Sequence, residues 1–241
     1  MSKNNVIIPV YNESERILNT CNAITAFLKD NTGYNFLFVD DGSEDNTVEL
    51  LKQRKEKFHD IDILPLGKNM GKGAAVRAGI MQSKGEYVCF IDGDLAYSFN
   101  HLPRLFEKLK TFDVVIGSRS LGFKNNKKLL LRRRILGAGF NFLVRLITQL
   151  PYKDTQAGLK GFRLDKAKTI FAKQTISRFS FDVETLFIAK KYGFSIGEIS
   201  AIVAKQHTEK NTRVNLVIDT IRMFLGLFKI HYYNLTGKYK Q

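Results

Sequence analysis

The sequence predicts an α/β fold in which helices flank a mostly parallel sheet. Along the first half of the chain, short apolar runs alternate with segments that repeat apolar residues every three or four positions. The strand-like runs end in polar and turn residues, at the edge where α/β sheets bind their ligands. With 241 residues, of which 44% are hydrophobic, the chain is long enough for one domain with a sizeable core.

The predicted elements follow one another at regular intervals up to residue 116. Each strand is an apolar run that closes at a turn, and each helix carries an apolar face. Strands are predicted at residues 6–10, 36–39, 61–64, 87–91 and 114–116. Helices are predicted at residues 13–29, 47–57, 71–83 and 101–110. Helices between successive strands favour parallel strand pairing.

Beyond Gly117 the pattern is less regular. Residues 124–134 are basic and predict a loop that leads into an apolar helix at residues 136–150. The remaining predictions are an added strand at 158–164, a helix at 181–192, a strand at 195–203 and a helix at 215–233. A helix as apolar as the last one either belongs to the core or lies in the plane of a membrane interface.

The formal net charge of +15 predicts anionic partners, namely nucleotide phosphates, nucleic acid or an acidic membrane surface. Much of the excess lies between Arg119 and Arg145, a stretch without an acidic residue. Nucleic acid is not expected, because the basic residues are not interleaved with stacking aromatics and no nucleic-acid-binding module is recognisable. Phosphate-bearing molecules and an anionic membrane surface are therefore the favoured partners.

Two carboxylates directly follow the predicted strand at residues 87–91. Asp92 and Asp94 are separated by Gly93, and alternation along an extended chain would point both carboxylates into the crevice beyond the strand. Hard carboxylate oxygens suit Mg²⁺ or Mn²⁺, and the ion would in turn hold a diphosphate. For this motif taken alone, a solvated turn is the alternative.

Polar motifs also close the first two predicted strands. Tyr11 and Glu13 could contact a base and a ribose, while Asn12 between them could cap the next helix. Asp40 and Asp41 follow the second strand, where an aspartate can accept hydrogen bonds from a base or a ribose. A turn followed by a helix cap is the alternative for the second motif.

Cationic groups are expected at the same edge of the sheet. Residues 69–75 form a glycine-rich segment at a helix start, where the backbone could approach a ligand and Lys72 could offer positive charge. The spacing of a phosphate-cradling P-loop is absent. Arg119 follows the fifth predicted strand and supplies a second fixed cation.

The order of these motifs resembles that of the family 2 glycosyltransferases. The resemblance covers residues 5–120 and consists of Pro-Val-Tyr-Asn-Glu, Asp-Asp-Gly-Ser, Asn-x-Gly-Lys-Gly-x-Ala, Asp-Gly-Asp and Gly-Ser-Arg. It implies a GT-A fold, a nucleotide-diphosphate-sugar donor, a divalent cation on Asp92 and Asp94, and catalytic roles for both and for Arg119. The donor-binding residues it implies are Pro9, Tyr11, Glu13, Asp40, Asp41, Lys72, Asp92, Gly93, Asp94 and Arg119.

The second half of the chain resembles the polyprenyl-phosphate branch of that family, which includes the dolichyl-phosphate mannosyl- and glucosyltransferases. The matching segments are three consecutive arginines at 132–134, Asp-Thr-Gln-Ala-Gly-Leu-Lys-Gly-Phe at 154–162, and Phe-Ser-Phe-Asp-Val-Glu at 179–184. Ala96 stands where members commonly carry a metal-binding glutamine, so two protein ligands remain for the metal. This difference fits the glucosyl-type members better than the mannosyl-type members.

The branch resemblance implies a polyprenyl-phosphate acceptor. The residues expected at its phosphate are Arg132, Arg133, Arg134 and Gln156. Arg213 lies where the branch often carries a basic residue in a loop, and it is expected to close over the donor. Asp182 and Glu184 are candidate bases, although a structural or positioning role is favoured for both.

We therefore expect an inverting hexosyltransferase that moves glucose or mannose from UDP- or GDP-hexose to a polyprenyl or dolichyl phosphate. The acceptor oxygen is already anionic at neutral pH, so the protein must position two anions and neutralise the leaving diphosphate. The alternatives are a family 2 glycosyltransferase that uses a polysaccharide or protein acceptor, and a non-catalytic nucleotide-sugar-binding protein.

The expected location is peripheral, on the cytosolic face of a membrane. Cys21 and Cys89 have apolar neighbours and lack disulfide or metal-site spacing, and no signal peptide precedes the first strand. A catalytic domain is expected over residues 1–212, including the basic loop and apolar helix of residues 124–150. Residues 213–241 are expected to form an amphipathic segment that binds the membrane or packs on the protein, another protomer or a membrane protein.

Overall fold

A seven-stranded mixed sheet forms the centre of the protein. The computed structural model describes residues 4–59, 61–121, 144–145, 147–178, 180–203 and 216–240. The strands are β1 (Asn4–Val10), β2 (Tyr34–Asp40), β3 (Ile61–Pro65), β4 (Tyr87–Ile91), β5 (Val114–Ser118), β6 (Leu159–Arg163) and β7 (Ile196–Ser200). The helices are α1 (Ile17–Asp30), α2 (Thr47–Phe58), α3 (Lys72–Gln82), α4 (Leu102–Leu109), α5 (Leu164–Lys173), α6 (Phe181–Lys191) and α7 (Leu216–Leu235).

The strands are arranged in the order β3-β2-β1-β4-β6-β5-β7. All neighbouring pairs are parallel except the two that involve β6, which runs antiparallel between β4 and β5. Lys160 of β6 is paired with Phe90 on one side and with Ile116 on the other. The mostly parallel sheet expected from the sequence is confirmed, and β6 occupies the position of the predicted added strand.

The sheet has an apolar core on each face, because successive residues of a strand point to opposite sides. In β1, Ile7 packs on the face covered by α3, α5, α6 and α7, whereas Val6 and Ile8 pack on the face covered by α1, α2 and α4. All three side chains are fully buried. Ligands of a sheet covered in this way bind at its carboxyl edge.

The helix α5 lies in a segment for which the sequence analysis predicts no helix. Its apolar face consists of Leu164, Ala167, Ile170 and Phe171, all of which are buried. These residues have helical spacing, but the intervening lysines and the short length of the helix obscure the pattern.

Asn12 does not cap α1, contrary to the prediction. Its backbone N–H donates to Ser43 Oγ at 2.9 Å, and its Oδ1 accepts from Glu44 N–H at 2.9 Å. The helix begins instead at Ile17, whose N–H donates to Glu13 O at 2.8 Å. The Asn12 side chain therefore joins the loops that follow β1 and β2.

The described part of the C-terminal segment packs on the sheet domain. Leu227, Ile230 and Tyr239 are fully buried in the same core as α6. The Tyr239 hydroxyl donates to Glu184 Oε1 of α6 at 2.7 Å. Of the predicted apolar helix at residues 136–150, the described residues Val144 and Leu150 are also buried.

The other face of α7 is apolar and exposed. Leu225, Phe228, Tyr232 and Leu235, which we call the α7 stripe, are 62%, 64%, 60% and 71% exposed. Their spacing of three, four and three residues places them along one side of the helix, away from Leu227. None of the helices in the described ranges combines the length and the hydropathy required to cross a bilayer.

We predict that Tyr239 stabilises the fold although it lies near the end of the chain. Tyr239→Ala should lower the free energy of unfolding by about 3–5 kcal/mol, because it removes a fully buried aromatic side chain. Tyr239→Phe should lower it by about 1 kcal/mol, because Glu184 keeps its hydrogen bonds from Thr175 and Ile176. Urea denaturation measures both changes. The exposed Tyr232 provides the control, and a loss of similar size for Tyr232→Ala would contradict the prediction.

Candidate active site

The candidate active site lies where β1, β2, β4 and β5 end. Asp92 directly follows β4, and its backbone N–H donates to Gly158 O at 3.0 Å. Its Oδ1 atom is 2.5 Å from Nζ of Lys72, the first residue of α3. Parallel strands and a helix start thus bring an acidic and a basic side chain together, as the sequence predicts for this edge.

Asp94 lies near this ion pair, and we call Lys72, Asp92 and Asp94 the charge cluster. Gly93 and Asp94 form a turn in which Asp94 Oδ1 accepts from Ala96 N–H at 2.9 Å, so the extended chain assumed in the sequence analysis is wrong here. Burial disfavours the charge on Lys72, but Asp92, Asp182 and Asp94 together outweigh this effect and raise the pKa of Lys72. The lysine is therefore a fixed cation at the mouth of the crevice.

Gly158 contacts Asp92 through the backbone hydrogen bond described above, and it also lies against the Asp92 carboxylate. A Cβ atom on Gly158 would overlap the carboxylate of Asp92, which is the nearest group to that position. The absence of a side chain at 158 therefore lets the segment that leads into β6 approach the end of β4 without displacing the carboxylate.

The carboxylates of Asp92 and Asp94 fit a divalent cation, although they do not form a complete protein cage. Asp92 Oδ1 is buried and already lies 2.5 Å from Lys72 Nζ, so a cation bound there would share this carboxylate with the lysine. Within the described ranges, no three His, Cys, Asp or Glu side chains are placed so that they could hold a metal ion together. Two carboxylates suit Mg²⁺ or Mn²⁺, because either ion can complete its coordination with oxygens of diphosphate and water. Metal binding by these residues stays a prediction.

Arg119 is held in place by Asp154. The Arg119 backbone N–H and Nε both donate to Asp154 Oδ2 at 2.8 Å, and Nη2 donates to Oδ1 at 2.6 Å. Burial raises the pKa of Asp154, but its hydrogen bonds and charge interaction with Arg119 outweigh this effect and lower it overall. The Arg119 side chain is 45% exposed, so its outer face remains accessible to a ligand.

Asp40 and Asp41 are buried and bind the loops of the site. Asp40 accepts hydrogen bonds from Gly42 N–H and from the N–H and hydroxyl of Ser43. Asp41 accepts from the N–H groups of Met70 and Gly71, both at 2.8 Å. The contacts of Asp40 form the turn that the alternative for this motif expects, but the N-cap side chain of the following helix α2 makes no capping hydrogen bond, and the contacts of Asp41 reach the loop before α3. Contact of either carboxylate with a nucleoside stays a prediction.

The other predicted donor-binding residues surround this cluster. Tyr11 is 37% exposed where β1 ends, which leaves its ring accessible to a base. Glu13 pairs with Arg16 through a 2.8 Å contact, and Gly93 O accepts from Thr20 at 2.7 Å. Pro9 lies in β1 and is paired with Val39 of β2.

The predicted acceptor residues are mostly not described. Gln156 is half-buried in the turn that leads into β6, between Asp154 and Gly158. The predictions for Arg132, Arg133, Arg134 and Arg213 lie outside the described residues.

A further ion pair, which the sequence does not predict, joins β6 to α6. Lys160 of β6 is fully buried and donates to Asp182 Oδ1 at 2.6 Å and to Ala157 O at 2.6 Å. Asp182 lies in the first turn of α6. The Glu184 carboxylate has a structural role, since it accepts hydrogen bonds from Thr175, Ile176 and Tyr239. These contacts agree with the structural or positioning role favoured for Asp182 and Glu184.

Comparison with known proteins gives consistent results. The family model described as Glycosyl transferase family 2 matches residues 5–171. The chain is 35% identical to a dolichyl-phosphate beta-glucosyltransferase of Trichomonas vaginalis, over 96% of this chain and 71% of that protein. It is 33% identical to the proteins of the same name from Dictyostelium discoideum and Saccharomyces cerevisiae, over 98% of this chain and 76% of each relative.

The fold is similar to that of solved glycosyltransferases. Glucosyl-3-phosphoglycerate synthase from Mycobacterium tuberculosis, in complex with Mg²⁺ and UDP, superposes with a TM-score of 0.64 at 17% identity, over 96% of this chain and 80% of that one. A mannosyltransferase from Pyrobaculum calidifontis, in complex with GDP-Man and Mn²⁺, gives a TM-score of 0.64 at 16% identity, over 94% of this chain and 63% of that one. The GT-A fold expected from the sequence is confirmed.

We predict that Gly158→Ala disables the site without unfolding the protein. The added methyl group should push the Asp92 carboxylate aside, which is a small structural change because that side chain is 30% exposed and can rotate. Binding of Mn²⁺ together with UDP, measured by isothermal titration calorimetry, should weaken by about tenfold or more, equivalent to about 1.4 kcal/mol. A melting temperature close to that of the wild type is the control, and undiminished binding would contradict the prediction.

Proposed function

Because the chain belongs to glycosyl transferase family 2, we propose that it transfers glucose from UDP-glucose to dolichyl phosphate or a similar polyprenyl phosphate. The expected place in the dolichyl-phosphate branch of the family is confirmed. The observation that carries the proposal is the identity of 33–35% to dolichyl-phosphate beta-glucosyltransferases over nearly the whole chain. The name of these relatives supports glucose over mannose as the transferred sugar.

The charge cluster is suited to the leaving diphosphate of such a donor. Asp92 and Asp94 would hold a divalent cation, and the cation would neutralise diphosphate charge as the sugar departs. Lys72 lies beside Asp92 at a helix start, where it can meet a phosphate oxygen directly. Two cations in fixed positions, Lys72 and Arg119, stabilise charge without reorganising during the reaction.

The acceptor requires no strong general base. A lipid monophosphate already carries negative charge at neutral pH, so its oxygen can attack the anomeric carbon directly. The protein must overcome the repulsion between the acceptor phosphate and the donor diphosphate. The accessible face of Arg119 is suited to this task, because guanidinium groups bind phosphate oxygens in a bidentate manner. A single in-line displacement of this kind inverts the anomeric carbon.

We also propose that the enzyme works as a peripheral protein on the cytosolic face of a membrane. The α7 stripe provides an apolar surface on a helix whose other face is held in the core. Leu227, on the opposite side of the helix from the stripe, is fully buried in that core. Burial of the stripe at the acyl boundary, together with a net charge of +15, would favour an anionic bilayer. Two buried cysteines fit a reducing compartment.

A donor panel tests the proposed activity. Purified protein should transfer glucose from UDP-glucose to dolichyl phosphate in the presence of Mg²⁺ or Mn²⁺, in preference to GDP-glucose, UDP-mannose and GDP-mannose. Asp92→Asn should reduce transfer by about 100-fold or more, as expected when a group that stabilises developing charge is removed. Asp62→Asn, which changes an exposed carboxylate paired with Lys55, is the control. Transfer from GDP-mannose alone, or to a polysaccharide and not to a lipid phosphate, would reject the assignment.

Vesicle sedimentation tests the membrane proposal. Leu225→Ser with Phe228→Ser removes apolar surface from the α7 stripe without changing charge. Each exposed side chain contributes about 1.5–3 kcal/mol when it is buried, so partitioning onto anionic vesicles should fall by more than about tenfold. Turnover of a water-soluble, short-chain polyprenyl phosphate should stay close to that of the wild type.

The control for this experiment is His231→Ser with Thr236→Ser, which changes two exposed residues outside the stripe. Vesicle binding by the control should equal that of the wild type. If the stripe variant also binds vesicles normally, another surface makes the membrane contact and the proposal for α7 is wrong.

A further inference from the structure

Lys160 is a buried cation that the proposed chemistry leaves without a role. It lies in β6 in the interior of the sheet, paired with Phe90 and Ile116 of the adjoining strands, and its side chain is fully buried. Its ammonium group donates to Asp182 Oδ1 and to Ala157 O, each at 2.6 Å. A strand position of this kind ordinarily carries an apolar residue.

Fold stability alone does not account for this pair. Removing two charges from water is costly, and apolar residues of similar volume often replace a buried ion pair without loss of stability. Burial lowers the pKa of Lys160, although Asp182 opposes this effect. The fold therefore does not require the pair, and the neighbours of the pair point to another role for it.

Asp182 lies between two lysines. It contacts Lys160 directly, and the adjoining residue Phe181 places its ring 5.8 Å from Nζ of Lys72, the residue that meets Asp92. The ring of Phe90 lies beside both ammonium groups, and the ring of Phe181 lies beside that of Lys72. Lys72 Nζ is 5.9 Å and 5.8 Å from the respective ring centroids, and Lys160 Nζ is 5.4 Å from that of Phe90. Cations and anions therefore alternate from Lys160 through Asp182 and Lys72 to Asp92.

We propose that Lys160 is a positioning residue for the nucleotide-sugar donor, which acts by holding Asp182 as a fixed anion opposite Lys72. With Asp182 held, Lys72 is attracted from two sides, by Asp92 and by Asp182, and its ammonium group stays at the mouth of the crevice. There the ammonium group, which is already in contact with Asp92, can also receive the diphosphate. The inference rests on the proposed function, because it assigns the diphosphate of the donor to Lys72.

The physical consequence of losing Lys160 follows from this arrangement. An Asp182 carboxylate without its partner would attract the nearby Lys72 more strongly and draw it away from the diphosphate position. Neutralising Asp182 instead would leave Lys72 to pair with Asp92 alone, in competition with the metal. Both changes should weaken donor binding more than they change the rate of the chemical step, since neither residue is placed at the reacting atoms.

The test compares Lys160→Met, Asp182→Asn and the double variant Lys160→Met with Asp182→Leu. The probe is UDP with Mn²⁺, and its dissociation constant is measured by isothermal titration calorimetry, alongside kcat and KM for UDP-glucose. We expect the dissociation constant and KM to rise by about tenfold in each variant, with kcat changed by less than about threefold. Lys166→Met, which changes a partly exposed lysine of α5, should leave all three values unchanged.

The double variant separates positioning from a purely structural role. It replaces the pair by apolar side chains and should recover much of the melting temperature that Lys160→Met loses. If Lys160 serves only the core, the double variant will bind UDP as the wild type does, and the proposal is overturned. Wild-type UDP affinity in Asp182→Asn, which keeps the shape of the residue and removes its charge, would overturn it as well.

The outcomes also distinguish this inference from the proposed function. A wild-type protein that binds neither UDP nor UDP-glucose in the presence of metal would reject the proposed donor. A wild-type protein that binds UDP, with variants that bind it equally well, would reject only the role of Lys160. If Lys160→Met does not fold, Asp182→Asn and the double variant still decide the question.

Discussion

The geometry of the site depends on how residues 154–160 enter the sheet. This segment leads into the antiparallel β6, so it passes the carboxyl ends of both β4 and β5 before pairing with them. It holds a group of the site at each of three points: Asp154 binds Arg119, Gly158 supports Asp92, and Lys160 binds Asp182. A parallel strand in this place would begin at the opposite edge of the sheet. The reversed direction of one strand therefore brings the cations and anions of the site into contact.

Charge balance is the second constraint on the site. Ionised groups this close together are tolerated because each is paired, since an uncompensated charge in a partly buried place would be costly. Lys72 pairs with Asp92, Lys160 with Asp182, and Arg119 with Asp154. A donor diphosphate and a divalent cation would enter as a pair of opposite charge, so the balance would be preserved when both are bound. This arrangement favours joint binding of metal and nucleotide over binding of either one alone.

The sequence allows much of the fold to be predicted, because periodicity is a local property. It also places Asp92, Lys72 and Arg119 at one edge, because strand ends converge in any parallel sheet. The roles of Asp154 and Lys160 could not be predicted, since they depend on which strands β6 separates, and that pairing joins distant parts of the chain. Similarly, the sequence shows that a wide face of the last helix is apolar, but it does not show which side packs on the core. The burial of Leu227 and Ile230 identifies that side.

Gly158 has a consequence for how related sequences are interpreted. Every amino acid except glycine carries a Cβ atom, and any Cβ at this position would occupy the space of the Asp92 carboxylate. Natural selection for activity should therefore accept no substitution at position 158, however conservative its chemistry, while a chain released from that selection could accumulate one at little cost to folding. A homologue that keeps both aspartates but has lost this glycine would accordingly be suspected of being a pseudoenzyme, even though its metal motif is intact.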